Sequence, residues 1–157
     1  MNTPNDALVR RSARTLVEVV PAVNRSLRVL TAELLRHVIT VPQYRVLVLL
    51  KDHPESSLKD LADREGVEPP TVSRTVDTLV EKRLVDRQTD GADRRCLRLS
   101  LLPLGTALVD RVRTDVAAAL ESELARWDAS ALEHLVQALD GLGASALTAR
   151  RPEASHA

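Results

Sequence analysis

The sequence predicts a mainly α-helical fold carrying one small β-hairpin, and three observations predict it. Apolar residues recur every three or four positions through most of the chain, the period of amphipathic helices. Only around Leu97, Leu99 and Leu101 does the pattern change to strict alternation, with Arg98 and Ser100 between, just after the turn pair Asp90-Gly91. Aromatic residues are 1% of the chain (Tyr44 and Trp127, no Phe), so the core must be built from aliphatic side chains. Such side chains suit helices packed through ridges and grooves. A chain of 157 residues, 44% hydrophobic, fits one domain, or one domain with an oligomerisation extension.

The elements follow in order. Leu8, Leu16, Val19, Val20, Val23, Leu27, Leu30, Leu34 and Val38 step by threes and fours, with Ser12 a lapse, and predict a long first helix. Pro4 suits its first turn, with Thr3 as a cap, and Pro21 should kink or interrupt it. Pro42 restarts a second helix near 42–52 carrying Val46, Leu47, Leu49 and Leu50. Residues 58–66 form a short third helix with Leu58, Leu61 and Ala62 inward and Gly66 as its stop. A fourth begins at Pro69 and buries Val72, Val76, Leu79 and Val80. The hairpin follows. A long helix starts at Pro103 and steps through Leu104, Leu108, Val112, Val116, Leu120 and Leu124. A last helix near 130–148 carries Leu132, Leu135, Val136, Leu139 and Leu142, its end weakened by Gly141 and Gly143.

Composition narrows the function. The net charge is +0, from 22 basic and 22 acidic residues, so any nucleic-acid footprint must come from placement. The segment 58–98 is also charge-balanced, nine basic against nine acidic residues, which predicts a moderate salt dependence of DNA binding. One cysteine, Cys96, permits no internal disulfide and no cysteine metal cluster. His37, His53, His134 and His156 are scattered without metal-ligand spacing, so no metal and no cofactor is expected. No catalytic triad, carboxylate pair or phosphate loop stands out, and the chain is not read as an enzyme. The N-terminus lacks a signal-peptide run, and no stretch approaches the ~18 apolar residues of a membrane span. The expectation is a cytoplasmic protein without membrane contact.

Residues 58–82 read as a helix-turn-helix. The second helix sets Thr71, Arg74, Thr75 and Thr78 opposite its buried stripe. Short side chains let a helix axis approach the major groove, and Arg74 can reach guanine edges or phosphates. Thr71, Ser73 and Thr75 supply hydroxyls, and the helix N-terminus supplies backbone N–H groups for a phosphate. On these helices alone, a solvated amphipathic pair explains the pattern equally well. The hairpin shifts the balance. Its tip, "DGADRR" at 90–95, is longer and more charged than a turn requires. A wing beside a recognition helix can insert arginine into the narrow, electronegative minor groove of A·T-rich DNA. Arg94 and Arg95 suit that role, with Asp93 holding an arginine fork.

The segments "VPQYRVLVLL", "SLKDLADREGVEPPTVSRTVDTLVEKRLVDR", "DRRCLRLSL" and "PLG" together resemble the MarR family of winged-helix transcriptional regulators, closely over roughly 42–105. The resemblance implies a winged helix-turn-helix with a helical dimerisation region: 1–41 for dimerisation, 42–102 as the DNA-binding lobe, 103–149 again for dimerisation, and 150–157 as a disordered tail. It implies a homodimer on a near-palindrome, Asp93 and Arg95 as the characteristic wing pair, and a small, often aromatic ligand bound near the junction of the first two helices. His37 and Tyr44 flank that junction. Three residues depart from the family pattern: Arg83 replaces a helix-ending Gly, Leu102 a capping Thr, and Glu68 a small polar cap.

The reading is a repressor of transcription that binds double-stranded DNA through Thr71, Ser73, Arg74, Thr75, Thr78, Asp93, Arg94 and Arg95. The long apolar end helices need a partner, which a second copy supplies. The rivals are a winged-helix protein-interaction module and a regulator responding to metal or to oxidation of Cys96. Cys96 itself reads as a structural strand residue, and Trp127 as an interface or core anchor.

Overall fold

The computed structural model describes residues 4–89 and 97–148. The order is α1 (Pro4–Leu34), α2 (Val41–Asp52), α3 (Leu58–Glu65), α4 (Pro69–Glu81), β1 (Val85–Thr89), β2 (Leu97–Leu101), α5 (Pro103–Leu124) and α6 (Ala129–Thr148). The chain divides into two compact units, Met1–Val116 and Ala117–Ala157, with α5 beginning in the first and ending in the second.

The first unit holds the core. Leu35, Ile39, Val46, Leu47, Leu50, Leu61, Ala62, Val72, Val76, Leu79, Leu84, Val85, Leu99, Val109 and Val112 are all buried, and none is aromatic. Each such leucine or valine contributes about 1.5–3 kcal/mol on leaving water. Tyr44, Val48, Leu58, Val80, Leu101 and Leu108 close over this cluster.

Local chemistry sets the boundaries. Thr40 caps α2 in a capping box: its side chain accepts the Gln43 N–H, and the Gln43 side chain accepts the Thr40 N–H at 2.9 Å. Ser57 caps α3 the same way with Asp60, and Gly66 closes α3 at φ 67°. The hairpin is antiparallel with Val85 opposite Leu101 and Arg87 opposite Leu99. Leu99 also donates its N–H to the Ser56 carbonyl at 3.1 Å, tying β2 to the segment before α3.

Two expectations for α1 need correction. The helix runs unbroken through Pro21. A proline removes one N–H, and its ring crowds the carbonyl four residues back. Here that carbonyl belongs to Val17, which is exposed, so solvent can satisfy it. The apolar pattern continues to Val38, but the helix ends at Leu34 in a turn where His37 takes φ 69°. Leu35 and Ile39, rather than Val38, face inward there. Upstream the stripe has no cover within the unit: Leu8, Val19, Val20 and Val23 are each about half exposed or more.

The second unit contains the end of α5 and all of α6. The Asp128 carboxylate accepts the Ala131 N–H at 2.9 Å and caps α6. As the periodicity predicts, α6 runs through Gly141 and Gly143 to Thr148. Trp127, Val136, Leu139 and Leu142 are exposed, so Trp127 is no core anchor of this unit. No described helix is long and apolar enough to cross a membrane.

Candidate nucleic-acid interface

The helix-turn-helix is built from α3, the Gly66 turn and α4. Val72, Val76 and Leu79 fasten α4 to the core, at 2% exposure or less. At 100° per residue, that stripe sends Thr71, Arg74, Thr75 and Thr78 to the opposite side as one continuous face. Thr71 and Arg74 are exposed, Thr75 and Thr78 partly so. The Arg74 guanidinium has no hydrogen-bond or ion-pair partner among the described residues, which leaves it free for a ligand. Ser73 and Thr75 flank Arg74 at about 100° on either side, and both are partly exposed.

Hydrogen bonding gives the hydroxyls a definite character. Thr75 Oγ1 donates to the Thr71 carbonyl at 3.0 Å, and Thr78 Oγ1 donates to the Arg74 carbonyl at 3.1 Å. Their protons are spent on the helix. What they present outward is lone pairs and methyl groups, suited to an exocyclic amine or a thymine methyl and not to a phosphate.

The expected phosphate cradle at the start of α4 is absent. Pro69 and Pro70 carry no N–H, and the Thr71 and Val72 N–H groups both point to the Glu68 carbonyl, at 3.0 and 3.5 Å. Glu68 gives no side-chain cap and sets a negative charge there, which repels a phosphate.

At the other end of α4, Arg83 takes φ 56° in the left-handed region. The Leu84 N–H reaches the Leu79 carbonyl at 3.0 Å and the Arg83 N–H the Val80 carbonyl at 2.9 Å, a Schellman termination with arginine in the glycine position. Leu102, before α5, gives its N–H to the Leu84 carbonyl at 3.0 Å.

The hairpin follows directly. Arg87 on β1 donates from its Nη2 to Asp77 Oδ1 on α4 at 2.7 Å, a contact sequence reasoning missed. The tip, with Asp93, Arg94, Arg95 and Cys96, lies outside the described residues.

A cleft of about 350 Å³ opens between α1 and α2, lined by Asn24, Leu27, Arg28, Thr31, Val41, Tyr44 and Arg45. Of the two candidate ligand residues, Tyr44 lines it and His37 does not. Burial raises the Tyr44 pKa; the Arg113 guanidinium opposes this, while Asp110 and Asp52 add to it. Its phenol therefore stays a neutral donor. Those charges belong to ion pairs joining α2 to α5, Lys51 with Asp110 and Arg113 with Asp52. Arg45 pairs with Glu65 at 2.9 Å, while Arg28 contributes a second guanidinium to the cleft. Among the described residues no three His, Cys, Asp or Glu side chains gather as metal ligands.

Comparison with known proteins agrees with this arrangement. Residues 39–97 match the sequence model of the MarR family. The crystal structure of RV1404 from Mycobacterium tuberculosis is 28% identical, with a TM-score of 0.70 over 83% of this chain and 91% of that one. A mutant of Staphylococcus aureus MepR bound to an oligodeoxyribonucleotide is 21% identical, with a TM-score of 0.62 over 83% and 97%. Staphylococcus aureus MarR in complex with salicylate and kanamycin is 21% identical, with a TM-score of 0.69 over 92% and 98%. Residues 39–97 thus match the MarR family, and the chain shares the winged-helix fold of these structures.

Proposed function

We propose that this protein is a ligand-responsive transcriptional repressor that binds a near-palindromic DNA site as a homodimer. The observation that carries the reading is the α4 face: a helix anchored by Val72, Val76 and Leu79 turns one free arginine and three threonines outward. That surface has the dimensions and the donor and acceptor groups of a major-groove reader. The MepR relative bound to an oligodeoxyribonucleotide supports it. The segment 42–102 is the reading lobe; 1–41 and 103–149 supply the dimer helices. A second copy would cover the apolar stripe of α1 and set the two reading heads roughly 34–36 Å apart, one turn of DNA. Arg94 and Arg95 enter the minor groove and Asp93 orients them.

The α1–α2 cleft is the ligand site of this reading. Arg28 favours an anion, and Tyr44, Leu27 and Val41 favour an aromatic body, so a small aromatic acid fits. The complex of Staphylococcus aureus MarR with salicylate supports that choice.

The test is selection of bound sequences from a random duplex pool by the purified protein. Enrichment of a two-part inverted repeat, with enrichment lost in the Arg94→Ala/Arg95→Ala variant, is the expected result. A pool that stays random through repeated rounds would overturn the reading.

A further inference from the structure

We propose that Asp77 and Arg87 act as a positioning pair that fixes the wing against the reading helix, so that both reach DNA in one geometry. The inference rests on the DNA-binding reading above. Arg87 stands opposite Leu99, which is fully buried, so its stem lies on the inner face of the hairpin while its guanidinium reaches α4. It is the inner-facing β1 residue after Val85. Asp77 follows Arg74 by three residues on α4, beside the reading face and off it. The ion pair is direct and short, at 2.7 Å.

Two further observations indicate that the arrangement is held. Asp86 Oδ1 accepts the Arg87 N–H at 2.9 Å, and Asp86 Oδ2 accepts from the Gln88 amide at 2.8 Å, which stiffens the strand where the arginine leaves it. Arg87 Nε is buried without a hydrogen-bond partner among the described residues. A guanidinium in solvent would satisfy that N–H; the side chain forgoes this to reach Asp77. The pair is partly exposed, 28% for Arg87 and 53% for Asp77, so its contribution to global stability is small. Its leverage is geometric, because the pair sets the angle at which β1 lies against α4.

The sign of one substitution separates this role from simple electrostatics. If Asp77 only adds negative charge near DNA, Asp77→Asn removes repulsion and binding tightens. If Asp77 positions the wing, Asp77→Asn weakens binding despite the more favourable charge. The experiment measures affinity for the selected duplex across a salt series, together with amide hydrogen exchange of β1 and β2 in the free protein. Asp77→Asn is expected to lose about threefold to tenfold in affinity with an unchanged salt slope, and to exchange faster at the hairpin amides. The exchanged pair Asp77→Arg/Arg87→Asp is expected to recover part of both. Unchanged hairpin exchange, or binding as tight as wild type, overturns the proposal. Wild-type protein that selects no duplex overturns the DNA-binding reading instead, and the exchange measurement still reports whether the pair holds the hairpin.

Discussion

Gly105 packs against the carbonyl of Leu84 so closely that a Cβ on it would stand far inside van der Waals distance of the Leu84 oxygen, 3.1 Å from its carbon and 3.3 Å from Leu101 Cδ2. This contact brings the start of α5 against the junction between α4 and the hairpin. The same Leu84 carbonyl accepts the Leu102 N–H, so it has little freedom to retreat. In an ordinary helix position, Gly→Ala gains up to about 1 kcal/mol from propensity. Here Gly105→Ala is expected to cost about 2–3 kcal/mol, the scale of overpacking against backbone. Gly141 is the control, with nothing within 4 Å of its added Cβ, and Gly141→Ala should stabilise. Urea denaturation with the midpoint compared at constant m-value checks both signs.

Arg83 holds a left-handed conformation at the end of α4 that costs a non-glycine residue about 1 kcal/mol. The hydrogen bonds of the Schellman turn and the burial of Leu84 against the core sustain it. Arg83→Gly keeps those bonds and relieves the strain. It should raise stability by about 0.5–1 kcal/mol in the same denaturation assay, and a loss would mean that the arginine side chain contributes more than its backbone costs.

The Ser57–Asp60 capping box makes stability depend on pH at the acid end. Hydrogen bonds from the Ser57 hydroxyl and N–H, at 2.7 and 2.8 Å, hold the Asp60 carboxyl below its ordinary value of 3.8. A depressed carboxylate contributes stability that is fully present above the unfolded value and is lost as pH falls through the folded one. Ser57→Ala should cost about 1 kcal/mol at neutral pH and flatten the stability profile below pH 3.8. Thermal unfolding between acid and neutral pH measures both.

Val19, Val20 and Val23 expose an apolar stripe on α1, between 48% and 54% accessible each. Under the homodimer reading a second copy buries it. Sedimentation at micromolar concentration should give a dimer for the wild type and a monomer for Val20→Asp/Val23→Asp. A wild-type monomer would contradict the assignment.

Much of the lobe was legible from residues alone. The 3.6-residue stripe of Val72, Val76 and Leu79 predicts which side of α4 is buried, because a helix has only one periodic apolar face. Gly66 as the stop of α3 and the alternation around Leu99 follow from equally local rules. Where one local rule competes with another, sequence reading failed. Pro21 signals a break, but an exposed helix face tolerates it. Val38 continues the periodicity, but the turn at His37 rotates Ile39 inward instead. Expecting a phosphate at the α4 N-terminus overlooked that Pro69 and Pro70 have no N–H to give. The two capping boxes, T-V-P-Q and S-L-K-D, went unread although their spacing is local. The Asp77–Arg87 pair was not visible, since nothing at a ten-residue separation marks a contact that depends on how the hairpin folds back. The Gly105 contact likewise needs the tertiary placement of Leu84.

Under the DNA-binding reading, the outward face of α4 reads bases. Fluorescence anisotropy of wild type and Arg74→Ala, on the selected duplex and on a scrambled one of equal length at one fixed salt concentration, tests it most directly. Arg74→Ala is expected to lose about 1–3 kcal/mol on the selected duplex and little on the scrambled one, so that discrimination falls. Equal losses on both duplexes would make Arg74 a phosphate contact, and no loss on either would contradict the claim.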